Sequence, residues 1–182
     1  MSLDNIKIVG GNGQRQKWDF YPTPPECTQA LVDWLHVPKG LTIWEPAAGE
    51  GHMARVLEDN GYRVISTDIR TGTDFLTASL PDQNIGWIIT NPPFSKSVEF
   101  IKHCSELERP FALLLKSQYW HSAKRLPLFR EIRPYAVLPL TWRPDFLGQG
   151  ASIMDMLWCV WMEGVGSGTI YQPLSRPQKE TE

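Results

Sequence analysis

The feature that most constrains this chain is a regular alternation of short apolar runs with segments of helical period. Residues 41–44, 63–67, 86–90, 111–116, 135–140 and 156–162 have the length and the apolar, β-branched or aromatic content of strands. Thr23-Pro24-Pro25-Glu26 has the form of a capping box with proline in the first helical turn. Cys27, Ala30, Leu31, Trp34 and Leu35 then recur at helical spacing until Pro38 and Gly40 stop the helix. Met53, Val56 and Leu57 mark a second helix that ends at Asn60-Gly61, and Val98, Ile101 and Leu107 a third that Ser95 can cap. Strands separated by helices imply a parallel sheet covered on both faces. The last two strands lack an intervening helix, which predicts an antiparallel hairpin at the C-terminal edge. The expectation is a doubly wound α/β domain.

A chain of 182 residues suits a single domain, expected over residues 18–163. Residues 1–17, with Gly10, Gly11 and Gly13, read as a flexible arm. They resemble a phosphate loop only superficially, because no Gly-Lys-Ser/Thr follows. Residues 164–182, rich in Gly, Ser, Pro and charge, read as a flexible tail. With 42% hydrophobic residues the chain is not of a disordered class, and a net charge of −2 argues against wholesale polyanion binding. Cys27, Cys104 and Cys159 are too few and scattered for a disulfide framework or zinc cluster. With no apolar run of the ~18–20 residues a membrane span needs and no export leader in view, the expected location is the cytoplasm.

Glu45-Pro46-Ala47-Ala48-Gly49-Glu50-Gly51 joins the first strand to a helix, at the place where open α/β sheets bind ligands. Asp68 ends the second strand, where a carboxylate can accept hydrogen bonds from both hydroxyls of a ribose. This points to an adenosine-containing cofactor. Gly49-x-Gly51-x-x-Ala54 formally meets a dinucleotide fingerprint. Glu45 and Glu50, however, bracket the turn and would repel a pyrophosphate. They suit a cation such as S-adenosylmethionine, which carries a sulfonium and an ammonium. Asp74-Phe75 offers an acid for the adenine amino group and an apolar wall for the ring, or simply a polar loop residue before a core aromatic.

Thr90-Asn91-Pro92-Pro93-Phe94 follows the apolar strand residues Trp87-Ile88-Ile89, and two prolines force the chain out of the sheet. Asn91 presents a side-chain oxygen and Pro92 a carbonyl. Two acceptors converging on an exocyclic amine would draw both its N–H bonds and localise the nitrogen lone pair for attack on a sulfonium methyl. Phe94 can stack on a planar base or amide. The bland alternative is a strained turn capped by asparagine.

The EPAAGEG turn, Asp68 and NPPF, in that order, resemble class I S-adenosylmethionine-dependent methyltransferases acting on amino groups, especially DNA adenine-N6 methyltransferases. Tyr21-Pro22-Thr23-Pro24 is similar to the cofactor-side motif those enzymes place before the glycine turn. The resemblance spans roughly residues 18–163 and implies a Rossmann-like methyltransferase sheet. It implies that Tyr21, Thr23, Glu45, Ala47 and Gly49 line the methionine side of the cofactor. Asp68 would hold the ribose, Asp74 and Phe75 the adenine, and Asn91, Pro92, Pro93 and Phe94 the catalytic site. Related signatures occur in RNA guanine-N2 and protein glutamine methyltransferases. DNA members often carry a separate target-recognition domain; none is expected within these residues, which either puts sequence selectivity in doubt or assigns it to loops.

From Lys116 to Arg143 there are six basic residues and one acid, a local charge of +5, interleaved with Tyr119, Trp120, His121 and Trp142. Cations for phosphates and aromatics for bases are what a nucleic-acid surface needs, although a solvated helix face with core aromatics has the same composition. Lys116, Tyr119, Trp120, His121, Trp142 and Arg143 are the candidate substrate contacts, and DNA the expected partner. Trp142-Arg143-Pro144-Asp145-Phe146 lies where an extruded base could be received. Cytosine-C5 chemistry would need a Pro-Cys nucleophile, and the three cysteines follow Glu, His and Trp. His103-Cys104 lacks metal spacing. The rival readings are an RNA or protein-glutamine methyltransferase, a nucleic-acid-binding module on an inactive version of the fold, and a dehydrogenase.

Overall fold

The computed structural model describes residues 21–82, 84–146, 148, 150, 154–162 and 168–178. Residues 1–17, expected to form an arm, lie outside them. Seven strands run β1 (Thr42–Glu45), β2 (Arg63–Ser66), β3 (Ile85–Thr90), β4 (Phe111–Lys116), β5 (Ala136–Pro139), β6 (Met156–Trp161) and β7 (Ile170–Tyr171). They form one sheet in the order β2-β1-β3-β4-β6-β5-β7. The pairs β1–β2, β1–β3 and β3–β4 are parallel, whereas β6 runs antiparallel to both β4 and β5. The antiparallel hairpin is therefore present, but its second strand is inserted inward, against β4. All six residues of β6 are buried, which suits a continuous apolar run in a strand covered on both faces.

Side chains alternate between the two faces at the period of a strand. Trp87 and Ile89 of β3, Ala112 and Leu114 of β4, and Trp158 and Val160 of β6 share one core with α1 (Pro25–Leu35) and α2 (His52–Asp59). Ile88, Leu113, Leu115, Cys159 and Trp161 point the other way, towards α3 (Ser97–Glu106) and α4 (Leu126–Glu131). A buried hydrogen bond from Trp158 Nε1 to the Cys27 carbonyl, 2.9 Å, pins α1 to β6 and so fixes the segment that leads into it.

Three local expectations are corrected. Thr23 does not cap α1, whose N-cap is Pro24 and has no side-chain bond; the Thr23 hydroxyl instead accepts from Asn91. Ser95 does not cap α3, because Phe94–Lys96 forms a 3-10 turn that runs directly into the helix. The supposed tail is ordered between 168 and 178. There β7 pairs in parallel with β5, Leu174 bridges to Leu140, and Arg176 meets Glu26 at 2.8 Å. Backbone pairing to an open sheet edge, with Leu174 only 6% exposed, overrides the polar composition of that segment. No helix among the described residues is long and apolar enough to cross a membrane.

Candidate active site

The chain passes from β1 to β2 on one side and then returns to β3 on the other, so β1 and β3 flank a topological switch point, where such sheets bind ligands. A cavity of about 270 Å3 opens there. Tyr21, Thr23, Glu45, Ala47, Asp68, Asp74, Phe75, Asn91 and Pro93 all line it. Nine of the residues picked out from separated motifs thus share one space, whereas Gly49, Pro92 and Phe94 are not among its lining residues.

Glu45 is the last residue of β1 and only 2% exposed, and its Oε2 has no hydrogen-bond partner among the described residues. Burial pushes its carboxyl up to about 8, against the lowering effect of the Ala54 amide, and nearby Asp68 adds to the rise. Burial thus favours the neutral form of Glu45 at pH 7. Gly49 and Gly51 have φ of 58° and 75°, a left-handed backbone that only glycine adopts without strain. That turn presents the Gly49 N–H to Asp68 Oδ2 at 2.8 Å.

Asp68 Oδ1 accepts from the Arg70 N–H at 2.8 Å and from Arg70 Nε at 3.0 Å. Burial would raise the Asp68 pKa, but the amides of Arg70 and Gly49 and the Arg70 guanidinium outweigh it and hold the carboxyl below its usual value. Two acids on one cavity thus shift in opposite directions: Asp68 is held towards its ionised form and Glu45 towards its neutral one. Asp74 accepts from the Leu76 N–H at 3.0 Å, turning the chain so that Phe75 packs between Trp44 and Phe100. Phe75 is 2% exposed, a core aromatic that also walls the cavity.

Asn91 is held by its amide nitrogen, which donates to Thr23 Oγ1 at 3.1 Å and to the Tyr21 carbonyl at 3.4 Å. A carbonyl can only accept, so this contact fixes which end of the amide faces it. Asn91 Oδ1 is left buried with no hydrogen-bond partner among the described residues. Leaving such an acceptor unmade costs about 1–3 kcal/mol. Pro92 is buried and is not among the residues that line the cavity. Phe94 stands against Tyr21, with ring centroids 5.3 Å apart, and Tyr21 meets Phe146 edge-on at 6.1 Å.

The basic, aromatic segment is dispersed by comparison. Lys116 reaches the site, with Nζ 4.1 Å from the Phe94 centroid. Tyr119 is 6% exposed and packs with Trp120 and Phe129 in the core on the α3 side. Trp120 is partly buried against the same core, 4.6 Å from Phe129, and Trp142 is partly buried against the opposite one. Both Tyr119 and Trp120 are therefore drawn inward by packing rather than presented to an open groove. His121 and Arg143 are exposed, and Arg143 pairs with Asp155 at 2.7 Å.

Sequence reasoning passed over Ile69, Arg70, His52 and Lys96, which also line the cavity. Ile69 and Arg70 directly follow Asp68, and Lys96 lies two residues beyond Phe94, so proximity to the motifs was the available signal. Ile69 is 55% exposed, an apolar side chain that the fold leaves uncovered at the cavity rim. Among the described residues no group of three or more His, Cys, Asp or Glu side chains is placed to hold a metal ion.

No family model matches the sequence, and no curated protein does. Solved structures match in fold. A modification subunit assigned to a type I restriction enzyme of Vibrio vulnificus superposes with a TM-score of 0.64 at 10% identity, over 87% of this chain and 48% of that one. A Listeria monocytogenes chain assigned to the class I S-adenosylmethionine-dependent methyltransferases gives 0.59 at 12% identity, over 91% and 68% of the two chains. The 23S rRNA methyltransferase ErmE gives 0.54 at 12% identity, over 79% and 70%. The chain spans about half the length of the Vibrio subunit. At such identities the likeness is one of architecture: this chain has the fold of the class I S-adenosylmethionine-dependent methyltransferases.

Proposed function

We propose that this chain moves the sulfonium methyl of S-adenosylmethionine to an exocyclic amine, with adenine N6 in DNA as the favoured target. The observation that carries the reading is Asn91, anchored through its nitrogen while its oxygen is buried and unpartnered beside the cavity.

The residues present fit the cofactor. The Glu45 carboxyl, whose Oε2 is unpartnered, suits a cationic group, the ionised Asp68 a ribose, and Ile69 and Phe75 the two faces of an adenine, with Asp74 near its amino group. When bound, S-adenosylmethionine supplies an electrophilic methyl on a positively charged sulfur. Asn91 Oδ1 and the Pro92 carbonyl accept the two N–H bonds of the target amine and turn its lone pair towards that methyl. Phe94 holds the ring in plane. The amine nitrogen would take the methyl as the sulfur–methyl bond breaks and the sulfur leaves as a neutral thioether, and the surplus proton would leave afterwards to solvent, so no general base acts before transfer. Stabilisation of the positive charge that builds on nitrogen falls to the two oxygens.

Support for a nucleic-acid target is the charge of +5 over residues 116–143 together with fold neighbours that act in DNA modification, among them a type I restriction-modification methyltransferase subunit of Streptococcus thermophilus at a TM-score of 0.55. RNA is the second reading, favoured by the fold likeness to ErmE.

The Asn91→Ala variant tests the mechanism. Transfer of labelled methyl should fall by about 10²–10³-fold, the effect of removing one preorganised partner of transition-state charge. Calorimetry should show cofactor binding close to wild type. Transfer at the wild-type rate in this variant would overturn the role of Asn91.

A further inference from the structure

Thr23 stands between two prolines in Tyr21-Pro22-Thr23-Pro24-Pro25, the segment that leads into α1. Each proline fixes its own φ and restricts the residue before it, so few backbone conformations are open to this stretch. It is also tied down at its far end. The Cys27 N–H donates to the Pro24 carbonyl at 3.0 Å, and the Cys27 carbonyl accepts from Trp158 of β6 at 2.9 Å. The Thr23 hydroxyl is thus carried on a stiff support, and the residue is only 6% exposed. It provides no cap for α1. Instead its Oγ1 accepts from Asn91 Nδ2 at 3.1 Å, while the Tyr21 carbonyl accepts from the same nitrogen at 3.4 Å.

Two acceptors on one NH2 group match its two hydrogens, which leaves the Asn91 oxygen as the end open to a ligand. An amide turned over would set that oxygen against the Tyr21 carbonyl, which can only accept, and would leave the NH2 group in its place. The two orientations select different ligands. One offers an acceptor to an N–H, the other a donor to a carbonyl.

We propose that Thr23 is a positioning residue that acts through Asn91. It locks the amide with its oxygen free, so that the site takes an amine and rejects a carbonyl at the reacting position. This rests on the amine-methyltransferase reading and deepens it, because it names what selects an exocyclic amine over the exocyclic oxygen of an otherwise similar base. Tyr21, Thr23 and Asn91 all line the one cavity, so the lock belongs to the site while its support comes from α1 and β6.

Thr23→Val keeps the branched shape and removes the acceptor, whereas Thr23→Ser keeps the hydroxyl. In Thr23→Val, kcat for methyl transfer should fall by about twofold to tenfold, the scale of one neutral hydrogen bond, and Thr23→Ser should recover most of the loss. In an Asn91→Ala background the same change should have no further effect, because the group it acts through is gone. Selectivity should move as well. Single-stranded oligonucleotides with hypoxanthine in place of their one adenine should compete about twofold to tenfold better in Thr23→Val than in wild type, because the amide is free to turn. A residue that merely packs would lower kcat in both backgrounds and leave the ratio of the two bases unchanged.

The experiment measures transfer from methyl-labelled S-adenosylmethionine to a pool of such oligonucleotides, each with one adenine among random flanks of the other three bases. Wild type, Thr23→Val, Thr23→Ser, Asn91→Ala and the Thr23→Val/Asn91→Ala pair are compared, with the hypoxanthine pool as competitor. Thr23→Ala replaces the valine variant if that one does not fold. In parallel, nitrogen–proton NMR follows the Asn91 side-chain amide, identified by its loss in Asn91→Ala. Its protons should exchange with solvent slowly in wild type and Thr23→Ser, and faster in Thr23→Val. A loss in Thr23→Val that serine restores and Asn91→Ala absorbs, with the shift towards hypoxanthine, supports the proposal. Equal losses in both backgrounds, or unchanged selectivity, overturn the role of Thr23 and leave that of Asn91 standing. Full activity in Asn91→Ala overturns the amine mechanism and the lock with it. Where wild type transfers no methyl to the pool, the spectrum decides: exchange in Thr23→Val as slow as in wild type overturns the lock, and faster exchange supports it.

Discussion

The two halves of the sheet carry their functional residues in different ways. On the side of β1, β2 and β3 the candidate residues sit at strand ends, on turns fixed by glycine and proline, and they meet in one cavity. Two buried oxygens there, Glu45 Oε2 and Asn91 Oδ1, have no partner among the described residues. On the side of β4, β6 and β5 the candidates are spread over a 3-10 turn, an exposed loop and both cores, with Lys116 lying over the Phe94 and Tyr21 rings. The first half places its unpartnered buried oxygens on a cavity; in the second, Tyr119 Oη and Trp142 Nε1 are likewise buried without a partner among the described residues, but within packed side chains, and His121 and Arg143 are exposed. Chemistry that needs fixed geometry is built on the former, and recognition by charge can be left to the latter.

Asp68→Ala should give the largest change that separates the halves. Loss of a charged hydrogen-bond acceptor for the ribose should cut S-adenosylmethionine affinity by about tenfold to hundredfold, in line with ~1.5–3 kcal/mol for bonds to charged groups. Calorimetry that finds unchanged affinity would remove Asp68 from the cofactor site.

Glu45→Gln sharpens the comparison through pH. The folded carboxyl is raised to about 8 from an ordinary value of 4.5, so the folded state binds more protons than the unfolded one between those limits. The contribution of Glu45 to stability is therefore fullest below about pH 4.5 and is lost as pH rises towards 8. Glu45→Gln should melt above wild type at pH 8 and approach it near pH 5, while binding S-adenosylmethionine more weakly at both. In wild type, cofactor affinity should rise between pH 6 and about pH 8 as the carboxyl ionises beside the cation. A melting gap independent of pH would show that Glu45 is charged in the free protein.

The smallest effect is expected at Tyr119. Its hydroxyl is buried without a hydrogen-bond partner among the described residues, so Tyr119→Phe removes an unsatisfied polar atom. Stability should be unchanged or raised by up to about 1 kcal/mol, and DNA binding should not move. A marked loss of DNA affinity would return Tyr119 to the substrate surface and erase the contrast between the two halves.

The same contrast governs what the sequence revealed. Six strands were legible because each is a compact apolar run, and the cavity residues were legible because glycine, proline and an isolated acid leave few local conformations. β7 was not: Ile170-Tyr171 is too short to signal itself, and it becomes a strand only by pairing with β5 across more than thirty residues of chain. Nor was Thr23, whose place in an S/T-x-x-E pattern pointed to a cap while Asn91, 68 residues further on, claims its hydroxyl. The position of β6 between β4 and β5 is likewise a tertiary choice, although its unbroken apolar run marks an interior strand. Aromatics among cations misled for a simpler reason. Tyr119 and Trp120 serve a core as well as a binding groove, and composition does not distinguish the two.

The most direct measurement is to incubate the protein with methyl-labelled S-adenosylmethionine and, in separate reactions, unmethylated duplex DNA, single-stranded DNA, ribosomal RNA and cell-extract protein, then digest the products and locate the label. The account predicts label on DNA, on N6-methyladenine. Label on a carbon or oxygen atom, or no transfer to any of these substrates by a protein that binds the cofactor, would contradict amine methylation at Asn91.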